Sequence, residues 1–352
     1  MTWRALIDAG AQAFRSSGAA PEAMDARGSL VVELALCASR SDAFTALKAR
    51  SRDGGFALLL TVDPHGAVRL ELSQGRDTRI MAAKSGTALS HRALRITYSW
   101  CLEEGLGVLT VENLLDGWLS QAEYRGPLAI PARVLAGPAA RSGGIELDSE
   151  VAFAGISSEM EPVGLPASIA EGAPVLTETG PRPIESLRPG DLVQTRDNGL
   201  QPVRWVVKRR VPAVGGFRPV RLCAPFFGLT RDLLLGPDQR VLVEGASVEY
   251  LFGEEEMFVE ARHLVDGRAA MEEGAARMVT YYQLLLDNHE IISVGGLELE
   301  SLFIGDLCDD PALLRTTLLA DLAPDRLPRH ARVARPQLRA YEAPTLRNAL
   351  NA

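Results

Sequence analysis

Two stretches of the chain read as short apolar-rich strands between turn signals, and Ala67–Leu72 alternates apolar and polar residues as a strand with one wet face should. In the first, Ser29–Leu34, Gly55–Val62, Ala67–Leu72, Leu94–Trp100 and Gly107–Glu112 read as strands. Asp63-Pro64-His65-Gly66 joins two of them with hairpin chemistry, because Pro presets φ and Gly permits a positive one. Strands at this spacing predict an antiparallel, jelly-roll-like sandwich over residues 27–140, after a lead segment 1–26. Residues 141–167, rich in Ala, Gly, Pro and Ser, read as a linker.

A second β-rich pattern follows over 168–306. Pro174–Thr177 and Leu192–Thr195 are short strands, and Asp197-Asn198-Gly199 is a hairpin signal with Pro202–Val207 as the expected return strand. Arg240–Val243 and Glu290–Val294 continue the pattern. The last segment, 307–352, is Pro- and Arg-rich. It lacks interleaved aromatics, so it reads as a tail wrapping its own acidic chain rather than a nucleic-acid or membrane contact.

Composition narrows the function classes. With 352 residues, 47% hydrophobic and 23% charged, the chain is long enough for two folded domains. A net charge of -8 argues against a general phosphate-binding surface, so no nucleic-acid partner is expected. No apolar run approaches the roughly 20 residues that span a bilayer, and no membrane partner is expected. Met1–Asp8 lacks the basic start and apolar stretch of a secretory signal. Cytoplasmic is the default location, with export by a route that needs no such signal left open. Cys37, Cys101, Cys223 and Cys308 form no CxxC pair or His/Cys cluster, so neither a metal site nor a disulfide framework is expected, and no cofactor is implied. Asp53, Asp63 and Glu71 match no calcium loop.

The stretch Pro183–Trp205, with its Leu187-Arg188-Pro189-Gly190-Asp191 turn and Asp197-Asn198-Gly199 hairpin, resembles the N-terminal half of bacterial Hint (Hedgehog/intein) domains. Asp232–Val243, Val259–Val265 and Leu286–Ile292 resemble the same family in the same order, and the Tyr341-Glu342-Ala343 tail does so too. The first half is similar, at the level of fold, to laminin-G or lectin-type sandwiches. The resemblance implies self-processing. A Cys or Ser at the first Hint residue attacks the preceding carbonyl, turning an amide into a thioester or ester, and a Thr-x-x-His or Ser-x-x-His segment donates to the leaving nitrogen.

Carried onto this chain, the nucleophile position falls on Ser168, counted back from Gly172, where relatives carry Cys-Phe-x-x-Gly. An ordinary linker serine is the other reading of Ser168. The donor segment falls on Gly236-Pro237-Asp238-Gln239, so Gln239 stands where the family has His. An amide can donate a hydrogen bond but cannot transfer a proton at neutral pH. His289 is the histidine of the late segment, and a residual role stands beside a structural one. His263 reads as a structural position, Asp191 as a turn residue, and His65, His91 and His330 carry no signal.

Three functions follow as alternatives. The leading one is a Hint-family protein whose self-processing is largely or wholly lost, kept as a scaffold or interaction module. The second is a slow Ser-dependent autoprotease cleaving Ala167-Ser168. The third is a carbohydrate- or ligand-binding protein acting through the N-terminal sandwich, whose partner would be a glycan or a protein.

Overall fold

A computed structural model describes residues 3–8, 13–15, 24–36, 42–51, 53–84, 92–135, 144–274 and 277–350. The chain is mostly β and divides into two compact units, Met1–Gly164 and Leu165–Ala352. Cys37 and His91 lie outside the described residues.

The strands of the first unit are β1 (Trp3–Asp8), β2 (Ala13–Arg15), β3 (Arg27–Leu36), β4 (Phe44–Arg50), β5 (Phe56–Val62) and β6 (Ala67–Gln74). They continue with β7 (Asp77–Lys84), β8 (Arg92–Cys101), β9 (Leu106–Asn113), β10 (Leu119–Arg125), β11 (Ile145–Leu147) and β12 (Val151–Ser157). Seven form a sheet in the order β10-β9-β8-β3-β12-β1-β2, and five form a second, β11-β4-β5-β6-β7. Both share one core. In β5, Phe56, Leu58, Leu60 and Val62 are buried while the residues between them are partly exposed.

Two expectations need correction. The lead segment 1–26 contributes β1, which pairs with β12 and buries Trp3, Ala5 and Ile7. The expected linker 141–167 contributes β11 and β12, and β12 lies between β3 and β1 in the seven-stranded sheet. Gly155 in β12 has a packing cause. A Cβ on Gly155 would sit 2.6 Å from the Trp3 ring, so the indole occupies the space a larger side chain would need. Past β12 the chain stays on the sandwich. The Ser29 hydroxyl donates to the Glu159 carbonyl and accepts from the Glu161 N–H, and the Gly164 N–H donates to Glu112.

The second unit contains β13 (Ile169–Ala170), β14 (Pro174–Thr177), β15 (Gly180–Pro183), β16 (Leu192–Thr195), β17 (Gly199–Pro202), β18 (Trp205–Pro212) and β19 (Val220–Leu222). Next come β20 (Leu233–Leu235), β21 (Arg240–Glu244), β22 (Glu256–Glu260), β23 (Ala270–Glu272), β24 (Met278–Leu285), β25 (Ile291–Val294) and β26 (Leu297–Glu300). Short helices α1 (Ala246–Phe252), α2 (Ala261–Leu264), α3 (Pro311–Leu314) and α4 (Ala343–Leu350) complete it. One sheet runs β18-β24-β13-β20-β19-β23. The other runs β15-β14-β16-β25-β26-β21-β22, with β17 paired to β16.

The Asp197-Asn198-Gly199 hairpin forms, with Gly199 at φ 64° closing a three-residue loop. Its return strand is β17 rather than the expected Pro202–Val207. Beyond Pro202 the chain leaves that sheet, and Trp205–Pro212 pairs along β24 instead. The C-terminal segment is integral to this unit, since Leu338, Ala343 and Leu346 are buried in its core.

Candidate functional site

Ser168 immediately precedes β13, a two-residue strand clamped between β20 and β24. Its N–H donates to the Tyr282 carbonyl (3.2 Å), and its own carbonyl accepts from the Gly236 N–H (2.6 Å). The side chain is 1% exposed, and Oγ lies 3.0 Å from Gln239 Oε1. An amide oxygen only accepts, so the hydroxyl donates.

Gln239 ends the turn after β20, its N–H bonded to the Gly236 carbonyl, and it is fully buried. Its Nε2 donates to the carbonyls of Arg240 (3.1 Å) and Glu300 (3.3 Å). Oε1 accepts from Ser168 and from Gln283 Nε2 (3.0 Å). Four bonds use the full capacity of the amide. They also fix its orientation, because a flipped amide would set its oxygen against two carbonyls. Ser168 therefore faces an acceptor that carries no titratable proton. Gln283 is bonded in turn to the Glu300 carbonyl and to the Leu284 N–H, so it holds Gln239 in place. Gln283 was not singled out from the sequence. A polar residue at a buried position of the otherwise apolar Tyr281–Leu285 was the available signal.

Gly236 fits the space left beside Ser168. A Cβ there would lie 2.7 Å from Ser168 Cβ, 3.1 Å from its Cα and 3.0 Å from Asp238 Oδ1. The position at which the resemblance implies a Thr or Ser has no room for either while Ser168 keeps its place.

The side chain of His289 is fully buried, and the ring packs near Phe258 and Phe303. Its Nδ1 accepts from the Ala334 N–H (3.0 Å), which places the proton of the neutral ring on Nε2. Nε2 is 3.4 Å from Glu300 Oε2 without a hydrogen-bonding alignment, and the same oxygen pairs with Arg240 Nη1 at 2.9 Å. Ser168 and Gln239 are in contact. Among the described residues no hydrogen bond joins His289 to either. Gln239 and His289 both approach Glu300, Gln239 at its backbone oxygen and His289 near its carboxylate.

The remaining candidates are structural in their contacts. His263 lies 3.7 Å from Glu260, whose carboxyl is pushed up to about 6 by burial despite the neighbouring Arg262 guanidinium. Asp191 accepts from the Arg188 N–H inside its own turn, and that bond together with Arg182 pulls its carboxyl below the usual range. His330 is held by the Ile304 N–H and the Leu286 carbonyl, and burial lowers its affinity for a proton. No cluster of His, Cys, Asp and Glu able to hold a metal occurs among the described residues, and no helix among them is long and apolar enough to cross a membrane.

Residues 167–306 match the family model of the Hint domain, whose first matched residue falls one position before Ser168. The chain carries a Hint domain, preceded by an antiparallel β-sandwich. Solved structures similar to parts of it include a bacterial intein-like domain from Clostridium thermocellum, 19% identical over 39% of this chain and 98% of that one, with a TM-score of 0.30. The CBM40 of the Ruminococcus gnavus IT-sialidase, bound to alpha2,3 sialyllactose, is 12% identical over 39% of this chain and 78% of that one (TM-score 0.29). The LG1-3 region of the laminin alpha2 chain is 11% identical over 87% and 57% (TM-score 0.26). No curated protein matches the chain.

Proposed function

We propose that this Hint domain has lost self-processing and serves as a scaffold or interaction module. The reading is carried by one observation: the Ser168 hydroxyl donates its proton into the Gln239 amide oxygen, whose orientation Gln283 and two backbone carbonyls fix. Acyl shift at Ala167-Ser168 needs a base for the hydroxyl proton and an acid for the leaving nitrogen. Gln239 supplies neither, and loss of one such group costs about 10²–10⁴ in rate. Serine is also the weaker nucleophile, because its hydroxyl is far harder to ionise than a thiol at about 8.5. His289 does not replace the missing group, because its acceptor nitrogen is occupied by Ala334.

The test is the intact mass of the protein purified from cells and held at neutral pH for a day. A single species at 37.9 kDa is expected. Two fragments meeting at Ala167-Ser168 would replace this reading with a slow Ser-dependent autoprotease.

A further inference from the structure

The C-terminal segment 334–338 lies along β22, the terminal strand of the eight-stranded sheet. The Phe258 N–H donates to the Pro336 carbonyl, and the Phe258 carbonyl accepts from the Leu338 N–H, both at 2.8 Å, in a parallel bridge. Arg335 grips Asp197 in a two-pronged ion pair (2.8 and 2.9 Å) and also bonds Glu256. Gln337 donates to Glu260. One backbone contact differs in kind. The Ala334 N–H donates to a side-chain nitrogen, His289 Nδ1, which can accept only while the imidazole is neutral.

We propose that segment 334–338 is a pH-operated strap: neutral His289 fastens it to the edge of the sheet, and protonation of that imidazole loosens it. A proton on Nδ1 turns the acceptor into a donor facing another donor. The fastened strap therefore prefers the neutral ring, and its hold is full at high pH and lost as pH falls. Glu300 on β26, 3.4 Å from Nε2, favours the cation, and Arg240 on β21, paired with the same carboxylate, offsets part of that pull. His330, stacked 6.3 Å away, favours the neutral form through burial and does not compete. The ion pairs of the strap persist through the same range. The Arg335 bond holds the Asp197 carboxyl low, and at Glu256 the bonds to Arg335 and Arg196 outweigh the opposing effect of burial. The Glu260 carboxyl, pushed up to about 6 by burial, also titrates in this range of pH, so a test must isolate the imidazole. Loosening would bare the backbone N–H and C=O of Phe258, an edge open to another strand.

Hydrogen exchange of peptide 333–339 in the full-length protein, corrected for intrinsic rates, reads the strap directly. Protection should fall about tenfold between pH 7.5 and pH 5.0, the scale of one hydrogen bond, while peptides from β24 to β26 stay protected. His289→Asn offers an amide oxygen where Nδ1 lies but cannot titrate, and its strap should keep the pH 7.5 protection at pH 5.0. Equal protection of the wild type at both pH values would overturn the proposal, as would an Asn variant that loosens like the wild type. Should the variant fail to fold, the Ala334 amide proton of the wild-type protein must follow the titration of the His289 ring, and an unmoved or independent signal overturns the proposal equally.

Discussion

Gly236→Ala tests the closeness on which the site description depends. The added Cβ would stand 2.7 Å from Ser168 Cβ, with Ser168 Cα and Asp238 Oδ1 at 3.1 and 3.0 Å. The two segments cannot simply part, because the Gly236 N–H is bonded to the Ser168 carbonyl and β20 pairs with β13 next door. Overpacking of this kind costs about 1–3 kcal/mol. For a unit of this size, about 2 kcal/mol lowers Tm by about 4–8 °C. Urea unfolding and calorimetry of the Hint transition measure it.

The decisive arm is a double-mutant cycle with Ser168→Gly, which deletes the atom that the new methyl meets. Alone it is destabilising, because it leaves Gln239 Oε1 with one donor instead of two. Combined with Gly236→Ala, the loss should fall short of the sum by about 1 kcal/mol or more. A Gly236→Ala protein within about 0.5 kcal/mol of the wild type would show that the two segments do not meet this closely, as would an additive cycle. The consequence for engineering is direct. A Thr placed at 236 to rebuild the donor segment should damage the fold before it can assist any chemistry.

Two further outcomes are expected. Burial pushes the Glu260 carboxyl up to about 6 from 4.5, so the native state binds that proton more tightly than the unfolded chain, and its ionised form costs about 2 kcal/mol above pH 6. Glu260→Gln should therefore gain on the wild type at pH 8 by about 1–2 kcal/mol, less whatever Arg262 loses, and the gain should shrink as pH falls below 6 and vanish below about pH 4. A difference that does not change with pH in urea titrations would contradict this. In the sandwich, Glu33 and Arg95 form a buried ion pair (3.2 Å), so Glu33→Ala should cost about 3–5 kcal/mol and Glu33→Leu with Arg95→Met much less. A single-variant loss below about 1 kcal/mol in the same assay would show that the pair carries little.

The sequence was legible where a single local rule decides the outcome. Hairpins announced by Asp63-Pro64-His65-Gly66 and Asp197-Asn198-Gly199 form because their turn chemistry needs no distant partner. β5 and β6 show the period of two because one face is wet. β12 was read as linker because its composition answers to a residue some 150 positions away. Gly155 is small because Trp3 and Leu6 lie against it, and no window of sequence contains that fact. The return strand was misplaced for a related reason. Val203 and Trp205 continue the apolar pattern, and only the pairing partner β24 shows that the chain has changed sheets. At the site, the resemblance brought Ser168 and Gln239 to attention and implied that a Hint scaffold would set them side by side. The bond that forms between them, and the part of Gln283 that the sequence did not single out, depend on three strands meeting.

The two glutamines change what kind of site this is. A nucleophile beside an imidazole sets up a polar contact with two protonation states, and processing depends on passage between them. Ser168, Gln239 and Gln283 form a network with one state. Each amide is buried with donors facing carbonyls and oxygens facing donors, and none of the three side chains titrates in the physiological range. Such a network stabilises the junction and makes it indifferent to pH. Among the described residues, the titratable groups that hold the C-terminal segment, His289 and Glu260, are not hydrogen-bonded to these three side chains. On the proposed function, proton transfer is thus separated from the peptide bond at Ala167-Ser168. A domain kept for binding needs a stable junction and loses nothing by that separation, whereas a self-cleaving domain depends on proton transfer at the bond it breaks.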